Sequence, residues 1–133
     1  MLLIAEDDPD DQFLIQRAVA DVCPPQTQMQ FVEDGIMLLD FLHRKAQASV
    51  KPNLIMLDLN MPRKDGREVL REIKSDPELS QIPVVILTTS NIEDDVQYCH
   101  GFGIARYYSK PGSIAELRKI MGEICADYVC PGC

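Results

Sequence analysis

Leu54-Ile55-Met56-Leu57-Asp58-Leu59-Asn60-Met61-Pro62 decides how this chain is read. Four apolar residues in a row, entered from Pro52-Asn53, predict a short strand buried on both faces. A carboxylate follows at once, then a loop through Pro62 to Asp65-Gly66. Open α/β sheets bind ligands outside the carboxyl ends of their strands, so Asp58 is a candidate functional group as well as a turn former. The same pattern repeats outward from this stretch. Leu2-Leu3-Ile4-Ala5 runs into Glu6-Asp7-Asp8, Val84-Val85-Ile86-Leu87 into Thr88, and Tyr107-Tyr108-Ser109 into Lys110-Pro111. Acids, a hydroxyl and an amine all fall at strand ends.

Between these strands the apolar period changes from continuous or alternating to helical. Strands are expected at about 1–5, 28–32, 53–57, 83–88 and 105–109. Asp8 can cap the first helix, with Pro9 in its first turn and Pro24-Pro25 beyond its end. Leu14, Ile15, Ala18, Val19 and Val22 are its expected inner face. Asp34-Gly35 opens a second helix with Leu38, Leu39 and Leu42 inward. The third, about 67–75, buries Val69, Leu70 and Ile73. Asn91 is the expected cap of a fourth that uses Ile92, Val96 and Cys99, and Gly101 and Gly103 break it. The fifth, about 113–126, carries Ile114, Leu117, Ile120, Met121 and Ile124 on one stripe. Strict strand–helix alternation means parallel strands with right-handed crossovers. The expected fold is α/β: a single doubly wound five-stranded parallel sheet in order 2-1-3-4-5. That order brings the carboxyl ends of strands one and three together at the crevice. Residues 1–127 form one domain in this reading, with 128–133 as a C-terminal tail.

The composition is that of an ordinary globular domain, with 46% hydrophobic and 26% charged residues among 133. No apolar run approaches the roughly 20 residues needed to span a bilayer, and Met1-Leu2-Leu3-Ile4 is too short for a signal-peptide core. A cytoplasmic location is therefore expected. A net charge of −8 disfavours a nucleic-acid backbone as partner and suits a cation or a basic docking face. Five cysteines outline no small disulfide framework. Cys23 and Cys99 are expected to pack as small apolar groups or near helix ends, and Cys125 falls within a helical pattern. Cys130-Pro131-Gly132-Cys133 is a CxxC at the C-terminal end, where no helix follows to lower a thiol pKa, so it is read as a tail with adventitious thiols.

In the 2-1-3-4-5 order Glu6, Asp7 and Asp58 converge. Three packed carboxylates repel, and a hard divalent cation such as Mg²⁺ relieves the repulsion through oxygen ligands. Such an ion also neutralises an incoming phosphoryl group. Lys110 adds a fixed positive charge and Thr88 a hydroxyl. Together these are the parts for making an acyl phosphate on an aspartate.

With these residues in place, the chain resembles the response-regulator receiver family of two-component signalling over essentially its whole length. The matching stretches are Glu6-Asp7-Asp8-Pro9, Leu57-Asp58-Leu59-Asn60-Met61-Pro62, Asp65-Gly66, Val85-Ile86-Leu87-Thr88 and Ser109-Lys110-Pro111. Arg67-Glu68-Val69-Leu70, Ser75-Asp76-Pro77-Glu78-Leu79 and Leu87-Thr88-Thr89-Ser90 look most like the stand-alone receivers associated with phytochrome-type kinases. The resemblance implies a flavodoxin-like receiver fold and a phosphoacceptor switch rather than an enzyme. It implies that Asp58 is the phosphoacceptor, and that Asp7, Asp58 and the backbone carbonyl of Asn60 bind Mg²⁺. Glu6 would act through a metal-bound water, Lys110 would hold a phosphoryl oxygen, and Thr88 and Tyr107 would be the switch pair, Thr88 moving inward on phosphorylation. It further implies a cis peptide at Lys110-Pro111 and a sensor histidine kinase, phytochrome-type among the candidates, as donor. With no effector domain expected to follow, output would use the face of helix four, strand five and helix five, by homodimerisation or by contact with another protein.

Other residues carry plainer expectations. Asp8, Asp10 and Asp11 are read as cap and solvated face, Arg63 and Lys64 as a solvated basic pair, and His43 and His100 as surface. Thr89 and Ser90 compete with Thr88 for the switch role, and Ser90 can instead face the attacking water. Two alternative functions share the pattern. One is a phosphorylation-independent adaptor of the same fold. The other is a metal-dependent phosphatase with an Asp nucleophile, which needs a second acid where Asn60 stands.

Overall fold

The structure is a computed structural model that describes residues 1–47 and 51–129. The terminal CxxC motif lies outside the described residues. The elements are β1 (Leu2–Ala5), α1 (Pro9–Val22), β2 (Met29–Val32), α2 (Gly35–Gln47), β3 (Leu54–Leu57), α3 (Gly66–Ser75), β4 (Val84–Thr88), α4 (Glu93–Gly101), β5 (Arg106–Ser109) and α5 (Ile114–Ile124). A wider π-helical turn, Cys125–Val129, continues α5. The strands form one parallel sheet in the order β2-β1-β3-β4-β5, as expected.

Each strand alternates its side chains between two cores. Leu3, Ala5, Ile55, Leu57, Val84 and Ile86 face the α2–α3–α4 side, where they meet Leu38, Leu42, Val69, Leu70, Ile73 and Cys99. Leu2, Ile4, Leu54, Met56, Val85 and Leu87 face α1 and α5, against Ile15, Ala18, Val19, Leu117, Met121 and Ile124. β1, β3 and β4 are buried throughout, because both faces are covered by helices. β2 and β5 are the edges and are only partly buried.

Some helical positions depart from the expected faces. Leu14 and Val22 are exposed, because α1 docks through the narrower stripe of Ile15, Ala18 and Val19. Ile92 is 62% exposed and occupies the N-cap position expected for Asn91, with no side-chain cap. Among α4 residues only Cys99 is fully buried, so this helix is held by little apolar contact.

The cysteine expectation also needs correction. Cys99 is a buried free thiol, but Cys23 and Cys125 form a disulfide with a Cα–Cα distance of 5.8 Å. The pair joins the end of α1 to the turn after α5. These two helices pack side by side on one sheet face, which brings their ends together across 102 residues of sequence. Among the described residues no helix is long and apolar enough to cross a membrane.

Candidate functional site

Strand register assembles the site. Ala5 lies beside Leu57, and Leu57 beside Ile86. The next residues, Glu6 and Asp58, therefore leave β1 and β3 side by side at the carboxyl rim. Thr88 pairs with Ser109, so Lys110 follows one step beyond, and its N–H donates to the Thr88 carbonyl at 2.7 Å.

Lys110 is the hub. Its ammonium lies 2.7 Å from Glu6 Oε1, 2.8 Å from Asp11 Oδ2 and 2.9 Å from Asp58 Oδ2. Burial alone would lower the Lys110 pKa, but the hydrogen bonds to Asp11, Glu6 and Asp58 outweigh it and hold it above its ordinary value. Burial raises the Glu6 carboxyl, against the opposing hydrogen bonds from Lys110 and the Asp8 amide. On the other side of Asp58, the Thr88 hydroxyl donates to Oδ1 at 2.8 Å, and the Asn60 N–H donates to the same oxygen at 3.0 Å. The Thr88 hydroxyl thus already touches the Asp58 carboxylate in this structure. Tyr107 lies half-buried against the α2–α3–α4 core, and its hydroxyl donates to the Ser90 carbonyl at 2.7 Å. Tyr108 faces the opposite core, as pleating requires.

Glu6, Asp7 and Asp58 each offer a carboxylate oxygen within a group spanning 4.8 Å, with Glu6 and Asp58 buried and Asp7 exposed. This all-oxygen donor set fits a hard divalent cation.

Several site contacts were not legible as such. Asp8 caps α1 through the Asp10 N–H, as expected, whereas Asp11 turns to Lys110 rather than to solvent. Its place in the first turn of α1, directly above the rim, was the available signal. Arg63 stays exposed, as expected, and Lys64 is half-buried, but both find acidic partners. Arg63 sits at φ 66° and bonds the buried Asp34 at 3.1 Å, and Lys64 pairs with Glu72. Asp34 also caps α2 through the Met37 N–H. Arg67 and Asp95, not singled out by sequence, form a forked ion pair at 2.7 and 2.6 Å. Its hydrogen bonds with Arg67 and Ser90 push the Asp95 carboxyl down to about 2. His43 and His100 are exposed, as expected. Lys110–Pro111 is trans, against the cis expectation. The trans chain already delivers Lys110 to three carboxylates, and an X–Pro bond prefers trans by about 0.5–1 kcal/mol unless the fold demands otherwise.

Gly66 shows how tightly the loop after β3 is folded. A Cβ there would lie 2.4 Å from the Asp58 carbonyl oxygen and 2.6 Å from Leu59 Cα. Both are backbone atoms, so relief requires moving the loop that carries Asp58. Gly66→Ala is expected to cost about 2–3 kcal/mol in chemical denaturation, as for overpacked sites. A loss under about 0.5 kcal/mol would show that the loop yields freely.

The chain matches the response regulator receiver domain over residues 2–122. It is 40% identical over 126 residues to the response regulator Rcp1 of Synechocystis sp., covering 93% of this chain and 85% of Rcp1. The solved structure of the phosphorylated cyanobacterial phytochrome response regulator RcpA superposes with a TM-score of 0.88 at 37% identity, over 99% of this chain and 95% of RcpA. The Mn²⁺-bound form of Rcp1 superposes with a TM-score of 0.81 at 37% identity, over 94% of this chain and 91% of that one. With the parallel 2-1-3-4-5 sheet and an acidic cluster at its carboxyl rim, the chain belongs to the response regulator receiver domain family, whose members are phosphoacceptor switches served by sensor histidine kinases.

Proposed function

We propose that Asp58 is the phosphoacceptor of this receiver unit, over about residues 1–127. The observation that carries the reading is the double grip on one buried carboxylate. Lys110 lies 2.9 Å from Oδ2, and the Thr88 hydroxyl bonds Oδ1 at 2.8 Å. An Asp58 oxygen attacks the phosphorus of a phosphohistidine on the sensor kinase. The new O–P bond forms as the P–N bond breaks, and the electron pair leaves with the imidazole nitrogen. Lys110 supplies fixed positive charge where the phosphoryl oxygens gather negative charge. Thr88 then shifts its hydrogen bond from Asp58 Oδ1 to a phosphoryl oxygen.

Asp7, Asp58 and the Asn60 carbonyl would hold Mg²⁺, with Glu6 acting through a bound water. When bound, the ion supplies charge neutralisation at the phosphoryl oxygens. The resemblance to Rcp1 and RcpA favours a phytochrome-type kinase as the donor and a cytoplasmic setting. Output would pass through the face of α4, β5 and α5, as a homodimer or through a downstream protein, because Thr88 and Tyr107 both border it.

The test is intact-mass measurement after incubation with acetyl phosphate and Mg²⁺. One phosphoryl adduct is expected, absent with EDTA and absent in Asp58→Asn; an adduct that survives Asp58→Asn overturns the assignment. Asp7→Ala is expected to weaken Mg²⁺ binding at least about 10-fold. Asp7 is exposed, and Lys110 offsets part of the charge of its two buried neighbours. Relief of repulsion in that variant should therefore add under about 0.5 kcal/mol of metal-free stability, less than three unpaired acids would imply.

A further inference from the structure

We infer that Arg67 and Asp95 are positioning residues for phosphoryl transfer at Asp58, acting through Ser90 on Thr88. The inference rests on the reading of Asp58 as the acceptor.

The start of α4 is underdetermined by its own sequence. Its N-cap residue, Ile92, makes no side-chain cap, and only Cys99 is fully buried. An external bracket holds it instead. Arg67 Nε donates to Asp95 Oδ1 at 2.7 Å and Nη2 to Oδ2 at 2.6 Å, the forked geometry that fixes orientation as well as distance. Ser90 Oγ donates to the same Oδ2 at 2.6 Å. The Tyr98 hydroxyl adds a second tie from α4, donating to the Arg67 carbonyl at 3.2 Å.

Both ends of this bracket return to Asp58. Arg67 Nη1 donates to the Asp65 carboxylate, at 3.0 Å to Oδ2, and reaches the Leu59 carbonyl at 3.5 Å. Leu59 is the residue after Asp58, and its carbonyl also accepts the Gly66 N–H at 3.0 Å. From the other end, the Ser90 N–H approaches Thr88 Oγ1 at 3.5 Å, and Thr88 donates to Asp58 Oδ1 at 2.8 Å. These contacts outline a ring, Asp58–Leu59–Arg67–Asp95–Ser90–Thr88, whose two longest links, Arg67–Leu59 and Ser90–Thr88, are both 3.5 Å. It ties the loop after β3 to the loop after β4. The Ser90 carbonyl, held by Tyr107, links the ring to β5. The hydrogen bonds from Arg67 and Ser90 hold the Asp95 carboxyl well below the usual carboxylate range, which keeps the bracket ionised at neutral pH.

Neither Arg67 nor Asp95 touches Asp58. Their effect is to fix where the Thr88 hydroxyl stands. Displacement of a catalytic group by about 1 Å costs up to roughly 100-fold in rate, and a loosened loop samples such displacements part of the time.

The experiment uses the full chain with acetyl phosphate as the probe donor and Mg²⁺ present. The rate of adduct formation on Asp58 is followed across donor concentrations for wild type, Arg67→Gln, Asp95→Asn and the double variant. Each single variant is expected to lower the maximal rate about 10-fold, with the half-saturating donor concentration changed less than about 2-fold. The double variant should be no slower than the slower single one, because both break the same ring. Arg67→Lys keeps the charge and the fold but loses the fork, so it should fall between wild type and Arg67→Gln; it also serves if a more drastic variant fails to fold. Amide resonances of Thr88 and Ser90 should shift in Arg67→Gln, although Arg67 is hydrogen-bonded to neither residue. Singles within about 2-fold of wild type, faster rates, or losses that multiply in the double variant would overturn the inference. If wild type itself forms no adduct, the acceptor assignment fails and this inference with it. If wild type reacts and the variants match it, Arg67 and Asp95 alone are misassigned.

Discussion

Lys110→Met is expected to slow phosphorylation of Asp58 by at least about 100-fold, the scale of losing one charge-stabilising donor in a water-poor site. The same substitution should destabilise the metal-free protein by about 3 kcal/mol at neutral pH. Lys110 is the shared partner of Glu6 and Asp58, whose side chains are 2% and 5% exposed. Removing it leaves two buried carboxylates facing each other, and breaking a buried pair from one side costs about 3–5 kcal/mol. The pH dependence has a definite sign. Burial already raises the Glu6 pKa, and loss of Lys110 raises it further. An acid whose folded pKa lies above its unfolded value costs stability at high pH, and the cost fades as pH falls through the folded pKa. The stability gap between wild type and Lys110→Met should therefore narrow on acidification below neutrality. Denaturant titrations across that range check it. A gap that is constant or widens toward acid would mean that Lys110 does not neutralise these carboxylates.

The second large effect belongs to the opposite end of the molecule. Reducing the Cys23–Cys125 disulfide, or replacing both cysteines with Ala, is expected to cost about 4 kcal/mol. The bridge closes a loop with a sequence separation of 102, and closing a loop of about 100 residues restricts the unfolded chain by up to roughly 4.7 kcal/mol. For a domain of this size that corresponds to a melting temperature lower by about 10–20 °C. Cys23 and Cys125 are 8% and 3% exposed, so reduction should be slow until the ends of α1 and α5 open. Because the bridge lies at the C-terminal ends of these helices, phosphorylation of Asp58 should stay within about 2-fold of wild type wherever the variant is folded. Melts with and without reductant measure the effect. Coincident melts, with free-thiol titration confirming reduction, would rule out a stabilising bridge.

What could be read directly from the chain concerns neighbours in sequence. Apolar runs such as Leu54–Leu57 and Val84–Thr88, separated by amphipathic stretches, are enough to require parallel strands with crossover helices, because each run must bury both faces. The strand order follows from bringing the chemical strand ends to one crevice, and Glu6, Asp58, Thr88 and Lys110 do meet there. The faces of α1 and α4 were less legible. Helical periodicity marks which residues could be inward but not how wide a stripe the neighbours cover, so Leu14, Val22 and Ile92 remain outside.

The sequence by itself determined the sheet, the residues that meet at its rim and the family, because these depend on local periodicity and on residues placed directly at strand ends. The tertiary structure alone decided which long side chains meet. Lys110 finds Asp11 across 99 residues, Arg67 finds Asp95 across 28, Arg63 finds Asp34 across 29, and Cys23 finds Cys125 across 102. Such pairs depend on how helices and loops dock to within an ångström or so, at the ends of flexible side chains or at helix termini. No periodic signal encodes that distance. The trans Lys110–Pro111 bond belongs with them, since it follows from the path of the backbone between packed elements rather than from the residues that flank it.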